Sequence, residues 1–269
     1  MPIAPDSFGR RRFAPLAVLS STIPLADRRP QTCLTAASKT GILCRVASIA
    51  QNLTRVRDRI AGAVERSGRD AGDVVLVAVT KTVDAFRVRE AIAAGVTDIG
   101  ENYVQEAQAK WLELRGSAKW HFIGHLQRNK VKAAVEFVDM VHSVDSLALA
   151  QEIGKRARAI GRRIDALVEV NVAGEAQKFG TPSDQALELA NEVASVEGIR
   201  FCGFMGMTPL VEDPELTRPY FAGLRSLFDR LPPEHRLHLS MGMTQDFEVA
   251  IEEGATMVRI GTAIFGART

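Results

Sequence analysis

A lysine closes the first long apolar run of the chain, Val74-Val75-Leu76-Val77-Ala78-Val79-Thr80-Lys81. An amine held where an apolar strand meets a loop loses solvent, which penalises the ammonium and lowers its pKa. The neutral fraction is a nucleophile that can condense with an aldehyde to form a Schiff base. The competing reading is a lysine that merely extends its ammonium past the strand end into water. Later apolar runs also stop at small, amide or charged residues: Gly100-Glu101-Asn102, Ile123-Gly124-His125, His142-Ser143-Val144-Asp145, Glu169-Val170-Asn171 and Gly203-Phe204-Met205-Gly206-Met207. Two further stops are rich in glycine and hydroxyls, Ser240-Met241-Gly242-Met243-Thr244 and Gly261-Thr262. Glycine there lets backbone N–H groups approach an anion closely, so these two read as a phosphate cradle. Ordinary strand-to-helix turns use the same residues. Arg259 stands between Val258 and Ile260. Burying an unpaired guanidinium is costly, so Arg259 is either paired with a carboxylate or aimed at a ligand.

The elements that carry these residues follow from hydrophobic period. Strand-like runs fall at 74–80, 97–101, 119–124, 139–144, 165–172, 199–206, 236–241 and 257–261. Between them lie helical patterns such as Phe86, Val88, Ile92 and Ala93, or Leu147, Leu149, Ala150, Ile153 and Ala157. Alternation of this kind means βα units around a parallel sheet. Eight units predict an α/β fold, a single closed (β/α)8 barrel of the TIM type, with its site at the C-terminal ends of the strands. The alternative is an open doubly wound sheet, but no GxGxxG turn follows the first strand to support a dinucleotide site. An extra N-terminal helix is expected over 48–66, with Ile49, Leu53, Val56 and Ile60 on one face, either closing the barrel bottom or packing beside it.

The 269 residues, 46% hydrophobic and 25% charged, suit one large domain. Residues 1–45 hold seven Lys/Arg against two Asp/Glu, leaving 27 against 30 in the remainder. The folded part is therefore mildly acidic and carries no nucleic-acid signature. No run reaches the roughly 18 apolar residues of a membrane span. Cys33, Cys44 and Cys202 form no paired spacing, which points to a reducing, cytoplasmic compartment. His121 and His125 share a strand face but lie too far apart for one ion, and His235 and His238 stand apart from acids, so no metal site is expected. Glu101 and Glu169 fit lumen ion pairs as readily as acid–base roles. The first 45 residues are rich in Pro, Ser, Thr, Ala and Arg without period. They read as a disordered extension, from a start assigned upstream of Val46 or a targeting segment, leaving 46–269 as the barrel domain.

Several longer segments carry a resemblance. They are Val79-Thr80-Lys81-Thr82, Gly100-Glu101-Asn102-Tyr103-Val104-Gln105-Glu106, Trp120-His121-Phe122-Ile123-Gly124-His125-Leu126-Gln127-Arg128-Asn129-Lys130, Lys178-Phe179-Gly180, Gly203-Phe204-Met205, Leu239-Ser240-Met241-Gly242-Met243-Thr244-Gln245-Asp246-Phe247-Glu248, and Met257 to Gly266. In order and spacing, the chain from about Ser48 to Arg268 resembles the YggS/PROSC family of pyridoxal phosphate homeostasis proteins. The resemblance implies a fold similar to the alanine racemase N-terminal domain. It implies Lys81 as the Schiff-base lysine for pyridoxal 5′-phosphate. Ser240, Met241, Gly261 and Thr262 would hold the phosphate, Arg259 would face the pyridine nitrogen, and Asn102 and Met205 would line the cofactor. A pyridine left unprotonated is a weaker electron sink, so the cofactor would be bound without strong activation for carbanion chemistry. Thr80 and Thr244 stand where many relatives have serine, and Val83-Asp84 replaces a more usual Lys-Pro.

The resemblance favours a carrier that holds the cofactor in vitamin B6 homeostasis and passes it to apo-enzymes. An amino-acid racemase of the related fold would need a second base, a tyrosine from an added domain. Tyr103 and Tyr220 are the only tyrosines, and neither is placed for that role. A Schiff-base aldolase acting on a sugar phosphate would also use a barrel lysine and a phosphate cradle. The single-domain pattern implies a monomer, with a dimer as the alternative.

Overall fold

The computed structural model describes residues 47–175 and 177–267. The disordered extension expected at 1–45 lies outside the described residues.

Among the described residues nine strands form the sheet: β1 (Val75–Val79), β2 (Asp98–Glu101), β3 (Lys119–Phe122), β4 (Met140–Val144), β5 (Ile164–Asn171), β6 (Thr181–Pro182), β7 (Ile199–Gly206), β8 (His238–Ser240) and β9 (Met257–Ile260). All pairings are parallel, and β1 bonds to both β2 and β9 while β4 bonds to both β3 and β5. The expected eight-stranded barrel therefore closes, with β6 as an addition that pairs Thr181 to Val170 on β5. Around it run α2 (Ala85–Ala93), α3 (Val104–Leu114), α4 (Val131–Ala134), α5 (Leu147–Ala159), α6 (Ala186–Ala194), α7 (Arg218–Asp229), α8 (Phe247–Glu252) and α9 (Thr262–Phe265).

The added N-terminal helix, α1 (Ile49–Arg66), begins at a reciprocal cap. Ser48 Oγ accepts from Gln51 N at 3.2 Å, and Gln51 Oε1 accepts from Ser48 N at 3.0 Å. Such caps stabilise a helix by about 1 kcal/mol. Its buried stripe is Leu53, Val56, Ile60, Ala63 and Val64. The helix packs beside the barrel, against α2, α8 and α9, rather than across the bottom. Asn52 donates to the Ile264 carbonyl at 2.9 Å, and Arg66 pairs with Glu252 at 2.7 Å.

Two apolar cores result. The larger fills the layer between barrel and helices, with Trp120, Phe122, Phe204, Phe221 and Phe247 among its buried side chains. The smaller lies in the lumen and joins Met140, Leu167, Cys202, Met205 and Met257. Cys202 and Met205 are three residues apart, and strict alternation would send them to opposite faces. A bulge in β7 reconciles them: Ala166 pairs with Phe201 but Leu167 with Gly203, so Cys202 is an extra residue. Gly203 adopts φ +131°, which a side chain would strain, and a Cβ there would lie 2.2 Å from the His238 carbonyl oxygen. A second irregularity in β4 falls between Val141 and Val144, at His142 and Ser143.

Candidate functional site

A cavity of about 770 Å³ opens at the C-terminal ends of the strands, lined by residues that follow β1, β7, β8 and β9. Lys81, Arg259, Gly261 and Thr262 lie on its wall, so four expected site residues converge although they come from opposite ends of the barrel sequence. Strands β1 and β9 are neighbours, pairing Ala78 with Ile260, and that closure brings Lys81 beside Gly261 and Thr262. Gly261 is also a close approach: a Cβ there would stand 3.1 Å from the Val79 carbonyl oxygen.

The other four expected residues sit differently. Met205 and Ser240 are fully buried, Met205 in the lumen core. Met241 packs its side chain into the barrel–helix core and donates its backbone N–H to Met257 O at 3.1 Å. Asn102 is half-buried, and its Oδ1 is a buried acceptor without a hydrogen-bond partner. Gly124 keeps that position tight, since a Cβ there would fall 2.6 Å from Asn102 O.

Arg259 is 4% exposed. Its Nη1 donates to Ser240 O at 2.8 Å and to Ser240 Oγ at 2.6 Å, and its Nη2 donates to Gly206 O at 2.9 Å. From Ser240 a chain of hydrogen bonds crosses the lumen. Ser240 Oγ meets His142 Nδ1 at 3.0 Å, His142 Nε2 meets His121 Nδ1 at 2.9 Å, and His121 Nε2 meets Asp98 Oδ1 at 2.9 Å. Burial, then the charges of His121 and Arg259, hold His142 well below the usual histidine range. Burial raises Asp98, but hydrogen bonds from His121 and Thr97 outweigh it and leave that carboxyl below its ordinary value. Arg259 is lowered by burial to about 10, against the attraction of Glu169 and Asp246, so it stays a cation at neutral pH. Glu169 is pushed up by burial to about 7, with Arg259 opposing and Asp145 adding to the rise.

Sequence reasoning placed Glu101 among residues available to the lumen. Strand alternation turns it outward instead, where it pairs with the buried Lys110 of α3 at 2.7 Å. His125 lies beyond the end of β3, stacks on Phe179 with centroids 3.9 Å apart, and stands 3.5 Å from Asp145. Among the described residues no group of three or more His, Cys, Asp or Glu is placed to hold a metal ion. No helix among them is long and apolar enough to cross a membrane.

Some site residues escaped the sequence reading. Thr208 and Asp246 line the cavity, and Asp246 accepts from Thr208 Oγ1 at 2.8 Å and from Met243 N at 2.7 Å, tying the loops after β7 and β8 together. The sequence signal was a threonine just past the Gly206-Met207 strand end and an aspartate just past Thr244. The Asp98–His121–His142 chain was missed as well, because it joins three neighbouring strands and leaves no sequence spacing to read.

The family model of the alanine racemase N-terminal domain matches residues 45–269. A protein of Aquifex aeolicus named pyridoxal phosphate homeostasis protein is 45% identical over 222 residues, 81% of this chain and 97% of that protein. Its namesake in Pseudomonas aeruginosa is 43% identical over 224 residues, covering 83% of this chain and 97% of that one. The structure of PipY from Synechococcus elongatus with PLP bound superposes with a TM-score of 0.70 at 34% identity, over 81% of this chain and 100% of PipY. The chain therefore belongs to the alanine racemase N-terminal-domain family and, within it, to the pyridoxal phosphate homeostasis proteins.

Proposed function

We propose that this chain binds pyridoxal 5′-phosphate through Lys81 and serves intracellular vitamin B6 homeostasis, holding the cofactor for apo-enzymes rather than acting as a strong catalyst. One observation carries the reading: Lys81, Arg259, Gly261 and Thr262 share the wall of a single cavity. The residues present fit the group. Gly261 leaves backbone room beside β1, and Asn102 Oδ1 is a buried acceptor awaiting a donor. When bound, the cofactor would supply an aldehyde open to condensation with a neutral lysine amine, releasing water. Lys81 is the attachment amine. Gly261 and Thr262 offer backbone N–H groups and a hydroxyl to the phosphate. Arg259, fixed by Ser240 and Gly206, would present a cation to the pyridine nitrogen and so disfavour its protonation. That arrangement suits retention over carbanion chemistry. The tyrosines support the same reading. Tyr103 is exposed at the start of α3 and Tyr220 lies on α7, and the cavity wall includes neither.

The test is the absorption spectrum of the purified protein beside Lys81→Ala, before and after borohydride. The expected result is a band near the visible edge that borohydride removes, with the added mass on Lys81 and none in the variant. Absence of the band after cofactor is added would overturn the reading and bring the sugar-phosphate aldolase forward.

A further inference from the structure

Helix α3 grips the backbone on both sides of Lys81. The carbonyl of Thr80 accepts from Lys110 Nζ at 2.6 Å, and Thr80 Oγ1 donates to Glu101 Oε1 at 2.6 Å. The N–H of Thr82 donates to Glu106 Oε1 at 2.5 Å. Lys110 Nζ joins the two carboxylates, 2.7 Å from Glu101 Oε1 and 2.7 Å from Glu106 Oε1. The Lys110 and Glu101 side chains are 8% and 1% exposed, so that pair is shielded from water, while Glu106 lies at its half-buried edge.

The residue so held is strained. Thr82 has φ +62°, and among the described residues it is the only one other than glycine at positive φ. A β-branched side chain is a poor occupant of that region, because its Cβ crowds the following carbonyl. Such a conformation persists only where the surroundings over-determine it. Thr82 immediately follows Lys81 and shares the cavity wall with it.

We infer that Glu106 and Lys110 are positioning residues for Lys81. They hold Thr82 at positive φ and Thr80 in line with β1, and that backbone path directs the lysine into the cavity. Released from Glu106, Thr82 relaxes to negative φ and the chain after β1 turns Lys81 away from the wall. This role rests on Lys81 being the attachment lysine. A cluster that only fastened α3 to β1 would show none of the coupling that follows.

Glycine adopts positive φ without penalty, so Thr82→Gly keeps the turn even when Glu106 is gone. Lys110→Met would strand the buried Glu101 and disturb folding, so Glu106, at the edge of the cluster, is the residue to change. Cofactor affinity would be measured for wild type, Glu106→Ala, Thr82→Gly and the double variant, together with hydrogen exchange of the residue-82 amide in the cofactor-free proteins. Glu106→Ala should weaken affinity about tenfold in the wild-type background and less than about twofold in the Thr82→Gly background. The Thr82 amide should exchange faster in Glu106→Ala. Equal losses in both backgrounds, or wild-type affinity in Glu106→Ala, would overturn the inference. Absence of a borohydride-fixed adduct on wild-type Lys81 would overturn the cofactor reading and this role with it. In that case the residue-82 amide still reports whether the turn depends on Glu106.

Discussion

Ser240 Oγ lies 3.0 Å from His142 Nδ1, and this contact sets the direction of the hydrogen-bond chain across the lumen. Arg259 can only donate, and it donates to that same Ser240 oxygen at 2.6 Å. The hydroxyl proton is then free to point at His142 Nδ1. His142 carries its proton on Nε2 and donates to His121 Nδ1, and His121 Nε2 donates to Asp98. In that order every group is satisfied and all the bonds run one way, from guanidinium to carboxylate. Long-range proton–nitrogen NMR should find His142 as the Nε2–H tautomer at neutral pH. An Nδ1–H signal on His142 would reverse the direction of the chain at Ser240.

The same contact separates two roles for Ser240. The family resemblance makes it a phosphate ligand, while the geometry commits its hydroxyl to Arg259 and His142. Ser240→Ala leaves His142 Nδ1 without a donor and removes one bond from Arg259, a loss of about 1–3 kcal/mol of stability. Titration with pyridoxal phosphate and with pyridoxal then decides. A relay role weakens both ligands alike, through the looser Arg259. A phosphate role weakens only the phosphorylated one.

Lys81, Gly261 and Thr262 were legible because each stops an apolar run at a strand end, and Arg259 because it interrupts the apolar run of β9; barrel closure gathers them on one rim. Facing was less legible, because it depends on pleat and bulge. Glu101 looked like Glu169, yet one turns out to Lys110 and the other in toward Arg259. His121 seemed to share a face with His125. The strand ends at Phe122, and the real partner of His121 is His142, next door in register where His121 pairs with Met140. Strand β6 offered no signal, since Thr181-Pro182 is neither apolar nor periodic.

The β7 bulge makes Gly203 a sensitive position. Gly203→Ala adds strain at φ +131° and drives a methyl against the His238 carbonyl and Phe228. The expected loss is about 2–5 kcal/mol. Its structural consequence is specific, because repairing the bulge by one residue would rotate Met205 out of the lumen. Urea denaturation gives the first quantity. A wild-type midpoint in the variant would show that the bulge tolerates a side chain.

Glu169 gives the fold an identifiable slope with pH. Burial raises its carboxyl from the ordinary 4.5 to about 7, so between those values the folded protein binds more protons than the unfolded chain. Stability from this group therefore falls as pH rises through that window, and its full cost, about 3 kcal/mol, applies above pH 7. His142 has the opposite sign. Its folded pKa is depressed, so the unfolded chain binds more protons below the ordinary 6.5 and acid destabilises the fold. Glu169→Gln removes the first slope and keeps the second. Unfolding free energies at pH 5 and pH 8 should show the variant near wild type in acid and more stable than wild type in mild base. A gap that stays constant across that range would mean that Glu169 remains ionised in the folded barrel, held by Arg259 strongly enough to cancel its burial.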